Sequence, residues 1–485
     1  MPESVKRLLR LISAVPCLLA LGIALRTYHY ARNPSMWHDE AMLVLNVLDK
    51  DIPALWGKLD FAEAAPPLFL CLERLVVLTL GDSTFALRLV PFLSSCMALV
   101  GFARIAPRIL SPRAVPWAVM LFACSDHLLW HTCEAKPYST DVLTAVLLLY
   151  LFVATSAWSA ARRALAFAAA APVVVWLSYP GIFLIGGVLT ALLPSCVRRR
   201  QRWQSKLAYL VLAIIAGVSF ALLVLGPVRL QRCPEMDACW AGCFAQLDRP
   251  ATLPFWVIYN TAQICRYCCE PAGNVLTIPA VIGAFLMWRR RRSLLTLLLI
   301  PCGLALTASF FHAYPYTAAR VLVYTTPAWA LLIAEGAAWV GRVVAPSALT
   351  GTWAWPPVRY TANIVGAVLV VQLLLSPCYA MIHVFMPQAR TDCGAAAEFV
   401  LEEIRQNELV TSNAPESRYY LRGAEAFVAP EALHAAVMQH IWLVGTGRTE
   451  KERLACMQSL PPGDWRVIRQ RDFQLTTVYR LERDP

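Results

Sequence analysis

The chain has 485 residues, of which 58% are hydrophobic and 15% are charged, and its mean hydropathy is +0.54. This composition excludes a soluble enzyme and indicates many membrane-spanning helices, since about 20 consecutive apolar residues cross a bilayer. The net charge of +12 does not indicate nucleic-acid binding, because residues 383–485 are slightly acidic and the basic excess lies in short loops between apolar segments.

Basic residues in short loops mark the cytoplasmic side of a membrane protein, so they predict the topology. Lys6, Arg7 and Arg10 place the N-terminus in the cytoplasm, and no small-residue cleavage site follows the first apolar segment. Eleven spans then place every arginine cluster inside. They are 11–26, 86–103, 114–131, 139–157, a hairpin pair over 164–197 that turns at Tyr179-Pro180-Gly181, 207–227, 273–288, 293–311, 321–341 and 361–382.

The apolar stretch 66–80 is the ambiguous element. It is short and carries Glu73 and Arg74, so we predict a helix that lies on the membrane surface. Counting it as a crossing would put RRRQR (198–202) and RRRR (289–292) on the outer side. The outer face therefore holds segment 27–84, loop 228–272, the residues around Glu134 and the C-terminal part.

Two acidic motifs lie on this predicted outer face. MWHDEAML (36–43) follows the first span, and HTCEAKPYSTD (131–141) joins the outer end of one span to the start of the next. Charge at bilayer depth costs ~2.5–3.5 kcal/mol by insertion scales, so Glu134, Lys136 and Asp141 need partners or a task. Glu134 and Lys136 can pair with each other, and Pro137 breaks the helix between them and Asp141.

These motifs, in this order, resemble a known family. WHDEA, then PPLFLCLERL and GDSTFALRLVP (66–91), EAKPYSTD, HAYPYTAARVLVYTTPAWALLIAEG (312–336) and ARTDCGAAAEFVLEEI resemble the GT-C membrane glycosyltransferases. The bacterial relatives include protein O-mannosyltransferases and the aminoarabinose transferase of lipid A. The resemblance covers nearly the whole chain, and the ordered series is more specific than any single motif.

The resemblance implies roles for individual residues. Asp39 and Glu40 match the family's Asp-Glu pair in the first external loop, which begins a short helix along the membrane surface. Both Glu134 and Asp141 match the family's second acid, and the sequence does not choose between them. Arg320 fits the basic residue expected near the donor phosphate, although Ala319 stands where many relatives carry Gly. The implied transfer inverts the anomeric centre.

The residue types suit glycosyl transfer from a polyprenyl phosphate. A base must take the acceptor proton, and cations must stabilise the leaving phosphate. We predict Asp39 as the base, Glu40 as its positioning neighbour, and Lys136, Arg320 and Tyr138 as the donor phosphate site. Structural alternatives exist: Asp39 as a helix N-cap, Arg320 as a snorkelling residue at a span end, and Tyr138 in the aromatic belt.

No cofactor is expected, and the alternative is a divalent metal at His38 and Asp39. Six cysteines fall in the predicted external loop, where disulfides form in an oxidising compartment, or where Cys265-x-x-Cys268 has zinc-ligand spacing. Sequence does not choose among the 15 pairings of six cysteines. The six are Cys233, Cys239, Cys243, Cys265, Cys268 and Cys269.

The predicted fold class is an α-helical polytopic membrane protein of GT-C type, with about 11 spans over residues 1–382 and a small α/β extracytoplasmic domain over 383–485. In that domain AAAEFVLEEIRQ predicts a helix, and ELVTS, HIWLVGT, WRVIRQ and LTTVYRLE predict strands. Asn413, Tyr419 and Tyr420 are candidates for acceptor or sugar contact, with a structural role as the alternative.

The functional prediction is a glycosyltransferase of a bacterial plasma membrane, with its active site on the extracytoplasmic face. Its partners are a polyprenyl-phosphate-linked sugar, an acceptor that is a protein, lipid or glycan, and the lipid bilayer, without nucleic acid. The alternatives are a lipid or solute transporter or flippase, which also carries charges among many spans, and a non-catalytic scaffold. The clustering of acids at the outer face favours the enzyme.

Overall fold

The computed structural model describes residues 3–198, 201–247, 249–349, 356–387, 389–412, 414–429, 432–433 and 439–483. Asn413, two arginines of RRRQR and residues 350–355 lie outside these ranges. The first eighteen helices are α1 (Glu3–Arg32), α2 (His38–Asp49), α3 (Pro67–Leu80), α4 (Thr84–Leu87), α5 (Leu89–Ile109), α6 (Val115–Ala123), α7 (Asp126–Trp130), α8 (Tyr138–Ala154), α9 (Ala160–Leu177), α10 (Gly181–Val197), α11 (Trp203–Leu223), α12 (Arg229–Gln231), α13 (Pro234–Trp240), α14 (Leu253–Cys268), α15 (Gly273–Arg290), α16 (Arg292–Phe310), α17 (Thr326–Leu349) and α18 (Pro356–Phe385).

Helices occupy the positions of the predicted spans except at 114–131, and the count of eleven crossings is not confirmed. Within the described residues, six helices are long and apolar enough to cross a membrane, and eight do so if two bent pairs each count as one span. The short helix α3 is not among them, and its place on the membrane surface stays a prediction. The chain is a multi-pass membrane protein.

The prediction of one continuous span over 114–131 is wrong. The helix breaks at Cys124 and Ser125 into α6 and α7. The guanidinium of Arg26, which is fully buried in α1, donates to the carbonyl oxygens of Ala123 at 2.8 Å and Gly22 at 3.0 Å, and to Ser95 Oγ at 2.9 Å. It therefore occupies a carbonyl that the end of α6 leaves without a partner inside the helix.

Two sharp bends shape the end of the bundle where the acidic motifs lie. Residues 126–133 and α8 meet at 118°, and residues 250–268 and α15 meet at 103°. Pro137 stands directly before α8, where it limits helix continuation. The predicted external loop 228–272 is largely helical, since it contains α13 and α14.

The C-terminal part forms a small α/β unit, as predicted. Its helices are α19 (Cys393–Glu403), α20 (Pro415–Leu421) and α21 (Glu450–Leu454), and its strands are β1 (Leu409–Thr411), β2 (His440–Thr446), β3 (Trp465–Phe473) and β4 (Thr476–Arg483). The sheet order is β1-β2-β4-β3, with β1 and β2 parallel and the other pairs antiparallel. Strand β2 is buried along its centre, because α19 covers it.

Close packing of α15 on α17 depends on two glycines. A Cβ at Gly336 would lie 1.8 Å from the carbonyl oxygen of Pro279, and a Cβ at Gly283 would lie 2.0 Å from that of Leu332. Such contacts between small residues let helix backbones approach in a membrane, where lipid and side chains are equally apolar. Helix α17 is thereby fixed, together with the short 3₁₀ helix Arg320–Thr325 that precedes it.

We expect Gly336→Ala to destabilise the bundle by about 1–3 kcal/mol, because the added methyl overpacks the α15–α17 contact. Gly341→Ala is the matched control on the same helix, since no atom lies within 4 Å of its Cβ position. The measurement is the thermal unfolding temperature of the two purified variants in detergent, with size-exclusion chromatography as the detection method. Equal unfolding temperatures would contradict the close approach.

Candidate active site

The carboxylate of Asp39 lies where the predicted outer motifs meet. Its Oδ2 is 2.8 Å from Arg320 Nη1 and 3.4 Å from Lys136 Nζ. Asp39 stands in the first turn of α2, where a carboxylate is favoured by the helix dipole. The N-cap position belongs to Trp37, so the interpretation of Asp39 as the helix cap is wrong.

Lys136 is paired with a second acid, Glu63, which was not among the predicted site residues. Its Nζ is 2.7 and 2.8 Å from the two carboxylate oxygens of Glu63, and both side chains are buried. Burial raises the pKa of Glu63, and the ammonium of Lys136 opposes that rise. The only sequence signal for Glu63 is its place in the same external segment as Asp39.

Arg320 begins the 3₁₀ helix that leads into α17. Its guanidinium carbon lies 5.6 Å from the ring centre of Trp37 and 5.7 Å from that of Tyr138. Cation–π contacts of this kind hold a guanidinium in place while leaving its N–H groups for anions. The structure thus brings the predicted residues Asp39, Lys136, Arg320 and Tyr138 together.

Glu134 is fully buried at the edge of this cluster. It accepts hydrogen bonds from Trp37 Nε1 at 3.0 Å and lies 2.6 Å from His131 Nδ1. His131 Nε2 in turn lies 3.0 Å from the hydroxyl of Tyr267 on α14. The two oxygens of Glu134 therefore have different partners: Trp37 contacts one, and His131, which lies in the bend before α8, contacts the other.

Asp141 lies outside this cluster, one turn into α8 from Tyr138. It is buried, and its Oδ1 has no hydrogen-bond partner among the described residues. None of the ion pairs that join Asp39, Lys136, Glu63 and Arg320 includes it. The structure places Glu134, and not Asp141, in contact with residues around Asp39.

Glu40 faces away from the cluster and joins three segments. Its oxygens accept from Arg88 Nε and Nη2 at 2.7 Å each, and Oε1 also accepts from the backbone N–H of Ala135 at 2.9 Å. Both charged side chains are completely buried. Arg88 directly precedes α5, so this pair fixes α2 against the start of α5 and against the segment that carries Glu134 and Lys136.

The C-terminal domain completes the surroundings of α2. Tyr420 accepts a hydrogen bond from the backbone N–H of Met36 at 2.9 Å, and Tyr419 donates to the carbonyl of Asp82 at 2.8 Å. His38 Nδ1 lies 3.1 Å from Glu416. Tyr419 and Tyr420 therefore connect the C-terminal domain to the helical part, as in the predicted alternative of a structural role. Asn413 lies outside the described residues.

The structure contains no disulfide among the six cysteines between 233 and 269, and each of them is a free thiol in it. Cys265 and Cys268 are buried on one helix. Among the described residues, Cys265 and Cys268 do not belong to a group with metal-ligand spacing, and His38 and Asp39 do not either. A group with that spacing is formed by Asp126, His127 and Glu270.

Exposure separates the acids of the cluster. The side chain of Asp39 is 21% exposed and that of Arg320 is 28% exposed, whereas Glu40 and Glu134 are completely buried. A substrate can therefore reach Asp39 and Arg320 from the surface. The arrangement offers one accessible carboxylate next to two cations, which suits proton abstraction beside an anionic group.

Comparison with solved structures shows that the chain shares the GT-C fold, so the predicted resemblance is confirmed for the fold. Among solved structures, the chain is similar to ArnT from Cupriavidus metallidurans bound to undecaprenyl phosphate, with 15% identity and a TM-score of 0.51 over 95% of this chain and 97% of that one. The apo state of the same protein gives 14% identity and a TM-score of 0.50 over the same shares.

The apo oligosaccharyltransferase of Archaeoglobus fulgidus is also similar, with 10% identity and a TM-score of 0.52 over 88% of this chain and 69% of that one. No protein family model and no curated protein matches the chain. Similarity at 10–15% identity establishes the shared fold.

We expect Glu40→Gln or Arg88→Met to destabilise the protein by about 3–5 kcal/mol, because either change leaves a buried charge without its partner. Arg469→Met is the control, since its ion pair with Glu403 is exposed and worth about 1 kcal/mol or less. Thermal unfolding in detergent measures both. A loss at Arg88 no larger than at Arg469 would contradict the structural role of the buried pair.

Docking of the C-terminal domain is expected to weaken as pH rises. The hydrogen bond to Glu416 raises the pKa of His38 above its ordinary value of 6.5, so the ion pair is fully present below that value and is lost as pH rises through the raised pKa. The protection factors of the α20 amides, which correct for the intrinsic pH dependence of hydrogen exchange, should fall over this range in the wild type. His38→Gln should abolish that fall, and protection factors with the same pH dependence in both proteins would contradict the role of the ion pair.

Proposed function

We propose that this protein is a membrane glycosyltransferase that moves a sugar from a polyprenyl-phosphate donor to an acceptor hydroxyl. The observation that carries the proposal is the partly exposed carboxylate of Asp39, held 2.8 Å from Arg320 and 3.4 Å from Lys136 within a GT-C fold. The solved ArnT structure of that fold binds undecaprenyl phosphate, which supports a donor of this class.

Asp39 is the proposed general base. Its carboxylate accepts the proton of the acceptor hydroxyl while that oxygen attacks the anomeric carbon, and the bond to the donor phosphate breaks. A single displacement of this kind inverts the anomeric centre. Such a displacement needs the attacking oxygen and the leaving phosphate on opposite faces of the anomeric carbon, so we propose that the sugar lies between Asp39 and the phosphate.

Arg320 and Lys136 are the proposed phosphate site. Arg320 forms an ion pair with Asp39 through Nη1 and has further N–H groups in a planar fork, so it can contact the carboxylate and a phosphate oxygen together. The ammonium of Lys136 is already paired with the carboxylate of Glu63. A bound phosphate would compete with Glu63 for this ammonium. Tyr138 supports the guanidinium through its ring face.

The other predicted acids receive positioning roles. Glu134 contacts Trp37 and His131. It therefore acts on the site indirectly, by positioning the Trp37 ring that contacts Arg320. Glu40 orients the start of α2 through Arg88. Asp141 touches none of these groups among the described residues, and we propose that Glu134 is the acid that matches the family's second one.

The arginine pattern supports an extracytoplasmic site. Asp39 and its partners lie near the starts of α5 and α8, whereas Arg104 and Arg108 lie toward the end of α5. Arg291 donates to the carbonyl of Arg108 at 2.6 Å, so two arginine clusters that are distant in sequence share one end of the bundle. By the positive-inside rule that end is cytoplasmic. We propose a bacterial plasma membrane, with the catalytic part in residues 1–382 and the soluble domain in 383–485.

Asp39→Asn should reduce sugar transfer by about 10²–10⁴-fold, the usual contribution of a general base, with folded protein at the wild-type level. Asp49→Asn, at the exposed far end of the same helix, is the control and should retain activity. The measurement is mass spectrometry of envelope lipids and glycans from a deletion strain carrying each variant, which also identifies the sugar and its acceptor.

Three outcomes distinguish the proposed functions. A glycan or lipid that loses one sugar in the deletion strain and in Asp39→Asn supports the transferase. Accumulation of the complete lipid-linked sugar on the cytoplasmic side would indicate a flippase, because a transferase defect leaves the flipped donor on the outer side. Full complementation by Asp39→Asn would exclude a catalytic Asp39 and favour a scaffold.

A further inference from the structure

A second group of ionisable side chains lies beside the candidate active site. Asp126 and His127 open α7, and Glu270 lies in the bend between α14 and α15. One ligand atom from each residue lies within 4.8 Å of the others, and His127 Nε2 is 2.9 Å from a carboxylate oxygen of Glu270. The proposed glycosyl transfer uses none of these three residues.

The spacing fits a metal ion. Zinc binds imidazole nitrogen and carboxylate oxygen at about 2.0–2.2 Å, which puts neighbouring ligand atoms about 3–3.5 Å apart. The pair of His127 and Glu270 is close to this separation, and a small adjustment of the Asp126 side chain completes the set. Two carboxylates and one neutral imidazole carry a charge of −2, which a divalent cation neutralises.

The surroundings support a site that water and ions can reach. The side chains of His127 and Glu270 are 23% and 24% exposed, and that of Asp126 is 13% exposed. Arg266 Nη2 lies 3.6 Å from Glu270 Oε1 and leaves Oε2 facing His127. Arg266 therefore contacts the far oxygen of Glu270, and the oxygen nearest His127 stays available as a ligand.

His383 contacts one ligand, Asp126, from a third element, helix α18. Its Nδ1 lies 3.2 and 3.1 Å from the two oxygens of Asp126, close to the end of α18. Carboxylates that bind metals are commonly held by a hydrogen bond of this kind, which orients them and tunes their affinity.

We propose that Asp126, His127 and Glu270 bind a divalent cation of the zinc class, with His383 orienting Asp126 and water in the open coordination position. The metal site shares no residue with the cluster around Asp39, and it stands whether or not the proposed transfer reaction is correct. It joins the starts of α7 and α15 and the end of α18, from which the chain runs into the C-terminal domain.

A path of contacts leads from this metal site to Glu134. The ring of His127 stacks on Tyr267, with centroids 3.6 Å apart and planes at 7°. Tyr267 contacts His131, which contacts Glu134. A metal on Nε2 of His127 fixes that ring, and thereby positions Tyr267. His127 is a positioning residue in this respect.

The test uses the purified full-length protein in detergent, stripped with a chelator and then titrated with Zn²⁺ against a chromophoric competitor. We expect one equivalent of tightly bound zinc and a rise in unfolding temperature on zinc addition. X-ray absorption at the zinc edge should show nitrogen and oxygen neighbours without sulfur. Zinc with sulfur neighbours would place the ion on cysteines and overturn the proposal, as would the absence of tight binding.

Variants assign the ligands. His127→Gln and Glu270→Gln should each weaken zinc binding by at least 100-fold, and His383→Gln, which removes no ligand, by about 10–100-fold. Glu235→Gln on the exposed α13 is the control and should bind as the wild type does. Unchanged affinity in the His127 and Glu270 variants would overturn the assignment. If either variant fails to fold, the absorption spectrum of the wild type decides the question alone.

Discussion

The bidentate ion pair between Glu40 and Arg88 is the interaction on which the site depends. It is completely buried, and its acid also accepts the backbone N–H of Ala135. One carboxylate thus holds the helix that carries Asp39, the start of α5 and the segment that carries Lys136. Because an unpaired charge in this environment is very costly, the three segments assemble together or not at all.

Charge compensation around Asp39 follows a graded pattern. The most buried pairs, Glu40 with Arg88 and Glu63 with Lys136, are bidentate or nearly so and satisfy each other. The most accessible pair, Asp39 with Arg320, has a single close contact. Buried pairs of the first kind supply rigidity, while the exposed pair keeps donors and lone pairs for a substrate. The same residue types therefore serve different tasks according to depth.

Sequence reasoning located the cluster because its parts lie in recognisable motifs, and it failed where partners come from distant segments. Asp39, Lys136 and Arg320 are visible as charges beside apolar runs. Glu63 and Arg88 are not, because nothing in their local pattern shows that Lys136 and Glu40 reach them. The break at Cys124 was missed for the same reason, since Arg26 is about 100 residues away. The strands of the C-terminal domain were predictable from local alternation alone.

The contact of the C-terminal domain with α2 has a consequence for the making of the protein. Tyr420 and Glu416 are synthesised long after Met36 and His38, because the contacts between them join residues 384 and 378 positions apart. Helix α2 must therefore wait, with one side uncovered, until the segment that carries α20 has been made. A nascent chain that lacks this segment holds its accessible acid without the cover, so the site matures late in synthesis.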